Sequence, residues 1–342
     1  MSEAGHRLPG FKLETLVQLD IMFQRLARAG TVLAFIVVFV GAWVRLTDAG
    51  LGCPDWPGCY GQLVLPESAV EQAELAEGYP ERPLDVGKAW REMFHRYLAT
   101  TLGLVCVALA SLAWLNRRDP GQPRRLPFVL LGVVIFQGLL GMWTVTLLLT
   151  PAIVMAHLLG GLTTLGLLSW LSRWRSRPAG AVAVSGGLVL AGAIVLVLQI
   201  SLGGWTSANY AALACPDFPT CQTRWWPPVM DYREGFVIWR GLGIDYEGGV
   251  LDNPARVAIH FTHRLGAIVA ALVIGFLGFR MSRQPVTRPD GIAILVVLAA
   301  QLLLGVSVVI FGVPLAVAVG HNAVAALLLL TILNANQRIN QA

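Results

Sequence analysis

Eight stretches long and apolar enough to cross a bilayer decide what this chain can fold into: 27–46, 94–115, 126–148, 153–172, 181–204, 257–279, 292–313 and 315–334. Each approaches the roughly 20 apolar residues a helix needs to span hydrocarbon. Lipid offers backbone N–H and C=O groups no partners, so every span is expected to be an α-helix. Composition agrees, with 56% hydrophobic and 13% charged residues among 342 and a mean hydropathy of +0.65, far from a water-soluble domain. Residues 1–26 carry no cleavage-site pattern after a short apolar core, and no removable signal peptide is expected.

Lys and Arg in the short connections set the orientation. Arg7, Lys12 and Arg25 in the tail, Arg117, Arg118, Arg124 and Arg125, then Arg173, Arg175 and Arg177, and finally Arg280, Arg283 and Arg288 all fall on one side. The long connections 47–93 and 205–256 carry acids instead, among them Glu67, Glu71, Glu74, Glu77, Asp231, Glu234 and Asp252. Both termini are therefore expected in the cytoplasm and both long loops outside. The net charge of +5 then belongs to inner loops facing anionic lipid, and no nucleic-acid partner is expected.

The chain is also duplicated. Gly41-Ala42-Trp43 followed by GLGCPDWPGC matches Gly203-Gly204-Trp205 followed by ALACPDFPTC, with Cys53 and Cys215 separated by 162 residues. His95-Arg96 matches His263-Arg264 at a shift of 168, and Gln137, Gly141 and His157 match Gln301, Gly305 and His321 at a shift of 164. Four landmarks in one order predict an all-α polytopic protein of two parallel four-helix bundles related by a pseudo-twofold axis along the membrane normal. The expected organisation is a tail at 1–26, a first bundle at 27–172, a linker at 173–180, a second bundle at 181–334 and a tail at 335–342.

Six histidines are present; His6 lies in the polar tail and reads as solvated. His95, His157, His263 and His321 each fall within about two turns of the outer end of an even-numbered span, roughly 3–10 Å into the leaflet. One from the second and one from the fourth helix of each half places two imidazoles face to face inside a bundle, the arrangement that holds haem iron by two axial ligands. For any one histidine an interhelical hydrogen bond explains the position as well; the repeated pair favours ligation.

Glu92 stands three residues before His95 and His260 three before His263, so each shares a helical face with its histidine. A carboxylate there suits chemistry in the first half, by stabilising positive charge or moving a proton, with an ion pair to Arg91 or Arg96 as the plainer reading. His260 reads as an interfacial hydrogen-bonding group. Arg96 and Arg264 suit haem propionates or, equally, headgroups. Gln137 and Gln301 read as bonds to a neighbouring helix.

Two copies of C-P-D-[W/F]-P-x-C in outer loops predict disulfides Cys53–Cys59 and Cys215–Cys221, either structural or redox-active, while Cys106 reads as a small buried apolar residue. Residues 67–77 favour a short helix that suits a lid over the first bundle.

With eight spans, the duplication, E-M-F-H-R at Glu92–Arg96, H-R-L-G-A at His263–Ala267, His157 and His321, nearly the whole chain resembles the haem A synthases of cytochrome oxidase assembly. That resemblance implies a resident haem b on His263 and His321, and substrate haem O between His95 and His157 with Glu92 beside the methyl group oxidised. It implies two successive oxidations, through an alcohol to a hydrate that loses water and leaves a formyl group. It further implies a bacterial cytoplasmic membrane, haem O synthase and oxidase assembly factors as partners, and an electron acceptor of unidentified chemistry; association into a homo-oligomer stays open. Two other classes account for the histidines: a di-haem b cytochrome taking electrons from quinol, and a haem-handling transporter or assembly chaperone. The cytochrome explains Glu92 less well; the transporter or chaperone needs no redox relay and predicts that haem dissociates readily from both halves.

Overall fold

A computed structural model describes residues 10–119, 121–174 and 185–340, with side chains from Val17 to Ile339. His6, Arg7, the side chain of Lys12, and most of the expected linker at 173–180, including Arg175, Arg177 and Pro178, lie outside the described residues. Eight helices are long and apolar enough to cross a membrane, so the protein is a multi-pass membrane protein. They are α1 (Gly10–Leu46), α3 (Val86–Leu115), α4 (Leu126–Thr146), α5 (Pro151–Leu171), α6 (Gly186–Ala208), α8 (Asn253–Ser282), α9 (Arg288–Ile310) and α10 (Leu315–Asn340). Two short helices, α2 (Ala69–Glu77) and α7 (Tyr232–Gly235), lie in the long connections. Among the described residues there is no strand, only isolated bridges.

Helix starts follow local chemistry. Asp85 caps α3 by accepting from the Lys88 amide at 2.9 Å, and Asp252 caps α8 by accepting from the Ala255 amide at 3.3 Å. Proline occupies the first turn of α4, α5, α8 and α9, where its missing N–H costs nothing. The caps carry α3 and α8 outward past the apolar windows: α3 begins at Val86 rather than 94, and α8 at Asn253 rather than 257. His95 thus lies nine residues past Val86 and His263 ten past Asn253. At about 1.5 Å per residue that is roughly 14–15 Å from each helix start, deeper along these helices than two turns.

α1, α3, α4 and α5 pack on one another, as do α6, α8, α9 and α10; α1 and α5 meet α6 and α10 along a central seam. Side chains from Phe23 and Leu109 in the first group to Met281 and Ile332 in the second form one continuous core across it. Polar contacts close both ends of the seam. At the end carrying the long loops, Arg45 donates to the Ser207 carbonyl at 2.6 Å, Tyr210 to Asp48 at 2.8 Å, and Arg82 pairs with Asp245 at 2.6 Å and Glu247 at 3.2 Å. At the other end Ser169 meets Asn334 at 3.4 Å and Gln337 donates to the Arg173 carbonyl at 3.3 Å. These partners are separated by 162–165 residues, close to the repeat shift, which is where a twofold relation brings equivalent positions face to face. Burial raises the Tyr210 phenol above its ordinary value and keeps it a donor toward Asp48.

α2 has no fully buried residue, but its Leu75 packs on the cluster formed by Cys53, Cys59, Tyr60, Ala89 and Met93. Within 67–77 the helix spans Ala69–Glu77, and it lies against the first turns of α3.

Candidate functional site

Four histidines project inside the two helix groups, each against a glycine of a neighbouring helix. A Cβ on Gly41 of α1 would stand 3.0 Å from His95 Cε1, and one on Gly203 of α6 3.0 Å from His263 Cε1. A Cβ on Gly305 of α9 would stand 3.0 Å from His321 Cε1, and one on Gly141 of α4 3.5 Å from His157 Cε1. The glycines that flank the histidines in the duplicated pattern thus make room for the rings.

In the first half the His95 and His157 ring centroids are 6.4 Å apart, with planes crossing at 79°. A ligating imidazole nitrogen sits about 2 Å from its metal, so rings gripping one ion from opposite sides have centroids roughly 6 Å apart. The Nδ1 atoms of His95, His157 and His321 are buried without a hydrogen-bond partner, a cost that metal ligation or a bound group removes. Among the described residues no three His, Cys, Asp or Glu gather around one point. Two imidazoles alone suit an ion whose other positions are already filled, as porphyrin iron is. The donor set therefore fits haem.

Above each pair sits a disulfide loop of the same construction. Cys53–Cys59 and Cys215–Cys221 are both bonded, as expected from their spacing. Asp55 accepts from the amides of Tyr60 at 2.6 Å and Gly61 at 2.8 Å; Asp217 accepts from those of Gln222 at 2.7 Å and Thr223 at 2.9 Å. Antiparallel bridges Cys59–Gln62 and Cys221–Arg224 close both turns.

The residue three before the first histidine ties this loop down. Glu92 accepts from the Cys53 amide at 2.9 Å and from Arg96 at 2.5 Å, with only 4% of its surface exposed. His260, also 4% exposed, accepts at Nδ1 from the Cys215 amide at 3.3 Å. Arg96 donates to the carbonyls of Asp55 at 3.0 Å, Pro57 at 3.2 Å and Gly58, and Arg264 to those of Thr220 and Cys215 at 2.7 Å each. Both guanidinium groups thus hold loop backbone rather than simply snorkelling to headgroups. Of the two plain readings of Glu92, the Arg96 pair is the one formed.

The model of the family described as cytochrome oxidase assembly protein matches residues 24–333. The chain belongs to this family. Among its relatives in the cytochrome oxidase assembly family, Heme A synthase of Shewanella oneidensis is 41% identical over 317 residues, 91% of this chain and 94% of that protein. Heme A synthase of Caulobacter vibrioides is 32% identical, covering 87% of this chain and 90% of its own length. Heme A synthase of Paracoccus denitrificans is 30% identical, covering 98% and 90%.

Within this assembly-family frame, glutamines distinguish the halves. Gln199, which the sequence reading did not single out, lies with Nε2 3.0 Å from His263 Nδ1 and donates to the His263 carbonyl at 2.9 Å. Gln301 Nε2 lies 3.3 Å from His321 Nε2. In the first half Gln137 donates to the His157 backbone carbonyl at 2.9 Å, and the place of Gln199, shifted by 162, is Val37. Both imidazoles of the second half have a side-chain partner; neither of the first half does. The signal available in sequence was a polar residue in α6 where the other copy is apolar. Cys106 is free and buried, as expected.

Proposed function

We propose that this chain is a haem A synthase of the bacterial cytoplasmic membrane, built as two four-helix units, 27–172 and 181–334, about a pseudo-twofold axis. Both termini lie in the cytoplasm and the histidine sites toward the outer face. His263 and His321 hold a resident haem b, which supplies an electron-transfer centre; His95 and His157 hold the substrate, haem O.

The observation that carries this reading is the asymmetry between otherwise matching sites. Gln199 stands with Nε2 against the His263 ring and donates to the His263 carbonyl, a contact that limits the ring to one pose. The first-half rings lack such tethers, which suits a site that exchanges its occupant. Only the first half has a carboxylate, Glu92, at the position beside the ligand.

The reaction converts a methyl group to a formyl group with one oxygen atom gained. The net change is CH3 plus water to CHO plus four protons and four electrons, taken in two two-electron steps through an alcohol and a hydrate that loses water. Withdrawing electrons leaves the methyl carbon positively charged. Glu92, buried and bonded to Arg96, favours that charge as a carboxylate and can take a proton from the attacking water. Arg96 and Arg264 retain N–H donors beyond those on loop carbonyls, and these suit the propionates. The disulfides are structural clamps of the loops. Haem O synthase and oxidase assembly factors are the expected partners.

The test is co-expression with a haem O synthase followed by extraction and chromatographic separation of the haems. Haem A accumulates with the native chain and disappears in Glu92→Ala while the haem b spectrum persists. Haem O left unchanged beside a normal b spectrum refutes the assignment in favour of an electron-carrying cytochrome.

A further inference from the structure

The halves close differently on the side away from the central seam. The α8–α9 contact is the most extensive between any two helices, whereas the matching α3–α4 contact is the least extensive between neighbours within either group. Named residues explain the difference. In the second half Leu295 and Leu298 of α9 lie over Gly278 and Gly275 of α8: Cβ atoms there would stand 2.9 Å from Leu295 Cγ and 3.8 Å from Leu298 Cδ2. The backbones also touch, since a Cβ on Gly291 would stand 2.7 Å from the Gly278 carbonyl oxygen.

Applying the repeat shifts of 168 for α3 and 164 for α4, the α9 leucines keep apolar counterparts, Leu131 and Val134, whereas the glycines opposite them do not recur. Gly275 becomes Val107, which is 48% exposed, Gly278 becomes Ala110, and Gly291 becomes Pro127. Knobs seated in glycine holes hold two helices together in lipid, where no hydrophobic force does so. The α3–α4 seam keeps one such contact, Val134 over Gly103, and lacks the close contacts made at Gly278 and Gly291.

We propose that the α3–α4 seam is the lateral port through which haem O enters the first-half site from the bilayer and haem A returns to it. This rests on the assignment of His95 and His157 as the substrate site. The geometry favours this route over the others. The loop end above His95 is fastened by the Cys53–Cys59 loop, which Glu92 and Arg96 bond to α3. The α1–α3 and α4–α5 seams are more extensive, and α1 and α5 face the second half. A resident cofactor needs no such port, and the tight α8–α9 seam gives it none.

The experiment locks the seam. In a Cys106→Ala background, Gly103→Cys with Val134→Cys places two thiols across it, because a Cβ on Gly103 would lie 3.8 Å from Val134 Cγ1. Gly275→Cys with Leu298→Cys locks the other seam as the control. With haem b bound, haem O uptake is read from the Soret change, and release from transfer to a haem-scavenging apoprotein. The locked α3–α4 protein is expected to take up and release haem O at least tenfold more slowly than the same protein before locking, while the locked control is unaffected. Protein locked after loading retains its haem O. Unchanged uptake and release across a quantitatively locked α3–α4 seam overturns the port. An unlocked protein with a normal haem b spectrum that takes up no haem O overturns the substrate-site assignment, and the port with it.

Discussion

Gly203→Ala tests whether the glycines beside the histidines are fitted to the rings. The added methyl carbon would sit 3.0 Å from His263 Cε1, whereas nonbonded carbons rest about 3.5–4.0 Å apart, so the ring or α6 must yield by roughly 0.5–1 Å. Metal sites tolerate ligand displacements of only about 0.2 Å. Overpacking of this kind costs about 1–3 kcal/mol. If that cost falls on the haem-bound state, haem b affinity drops by about 5–150-fold. The assay is Soret absorbance per protein after purification, followed by haem loss to a scavenging apoprotein. Gly41→Ala makes the same intrusion on His95 and is expected to suppress haem A formation while sparing haem b. Gly132→Ala, with nothing within 4 Å of the new atom, is the control. Undiminished haem b retention in Gly203→Ala, or an equal loss in Gly132→Ala, refutes the reasoning.

Glu92→His places in the first half the group that tethers the loop in the second. Loop protection against proteolysis and the haem b spectrum should persist while haem A formation falls by at least a hundredfold; retained synthesis would exclude a chemical role for the carboxylate. Gln199→Leu removes the partner of His263 Nδ1 and is expected to cost about 10–100-fold in haem b affinity, with a shifted reduction potential in a redox titration. Cys215→Ser with Cys221→Ser opens a clamp six residues apart in sequence, worth about 2 kcal/mol by loop entropy, and should lower the thermal midpoint with haem b still bound. Tyr210→Phe loses the bond to Asp48 across the central seam and should destabilise by about 0.5–1.5 kcal/mol without altering either haem spectrum.

The spans, the duplication and the four histidines were legible because each is written in local pattern: apolar length, an ordered set of landmarks, and one imidazole on every second membrane span. The starts of α3 and α8 were not, since Lys88, Arg91 and Glu92 lower the hydropathy where Asp85 has already nucleated a helix. The partners of Arg96 and Glu92 were hidden for another reason. Cys53 is 39 residues from Glu92, and helical spacing says which face a side chain leaves from without saying which loop folds back to meet it. Gln199 does not show in what the two halves share, because it matters by having Val37 as its counterpart.

That difference between copies also bears on Glu92. At the equivalent place His260 anchors the Cys215 amide as a neutral acceptor, so fastening the loop does not require a charge. Glu92 anchors the Cys53 amide equally well, yet it sets a carboxylate beside Arg96 in a largely buried place, with side chains 6% and 13% exposed, where the other half sets His260 beside Arg264. Taking such ions out of water costs several kcal/mol each before their attraction offsets it. A scaffold that anchors one loop with an imidazole beside Arg264 does not need a buried carboxylate to anchor the other. The proposed reaction accounts for the carboxylate instead: a carbon losing electrons next to His95, in the half whose histidine rings have no glutamine partner among the described residues and whose α3–α4 seam lacks the close glycine contacts of α8–α9.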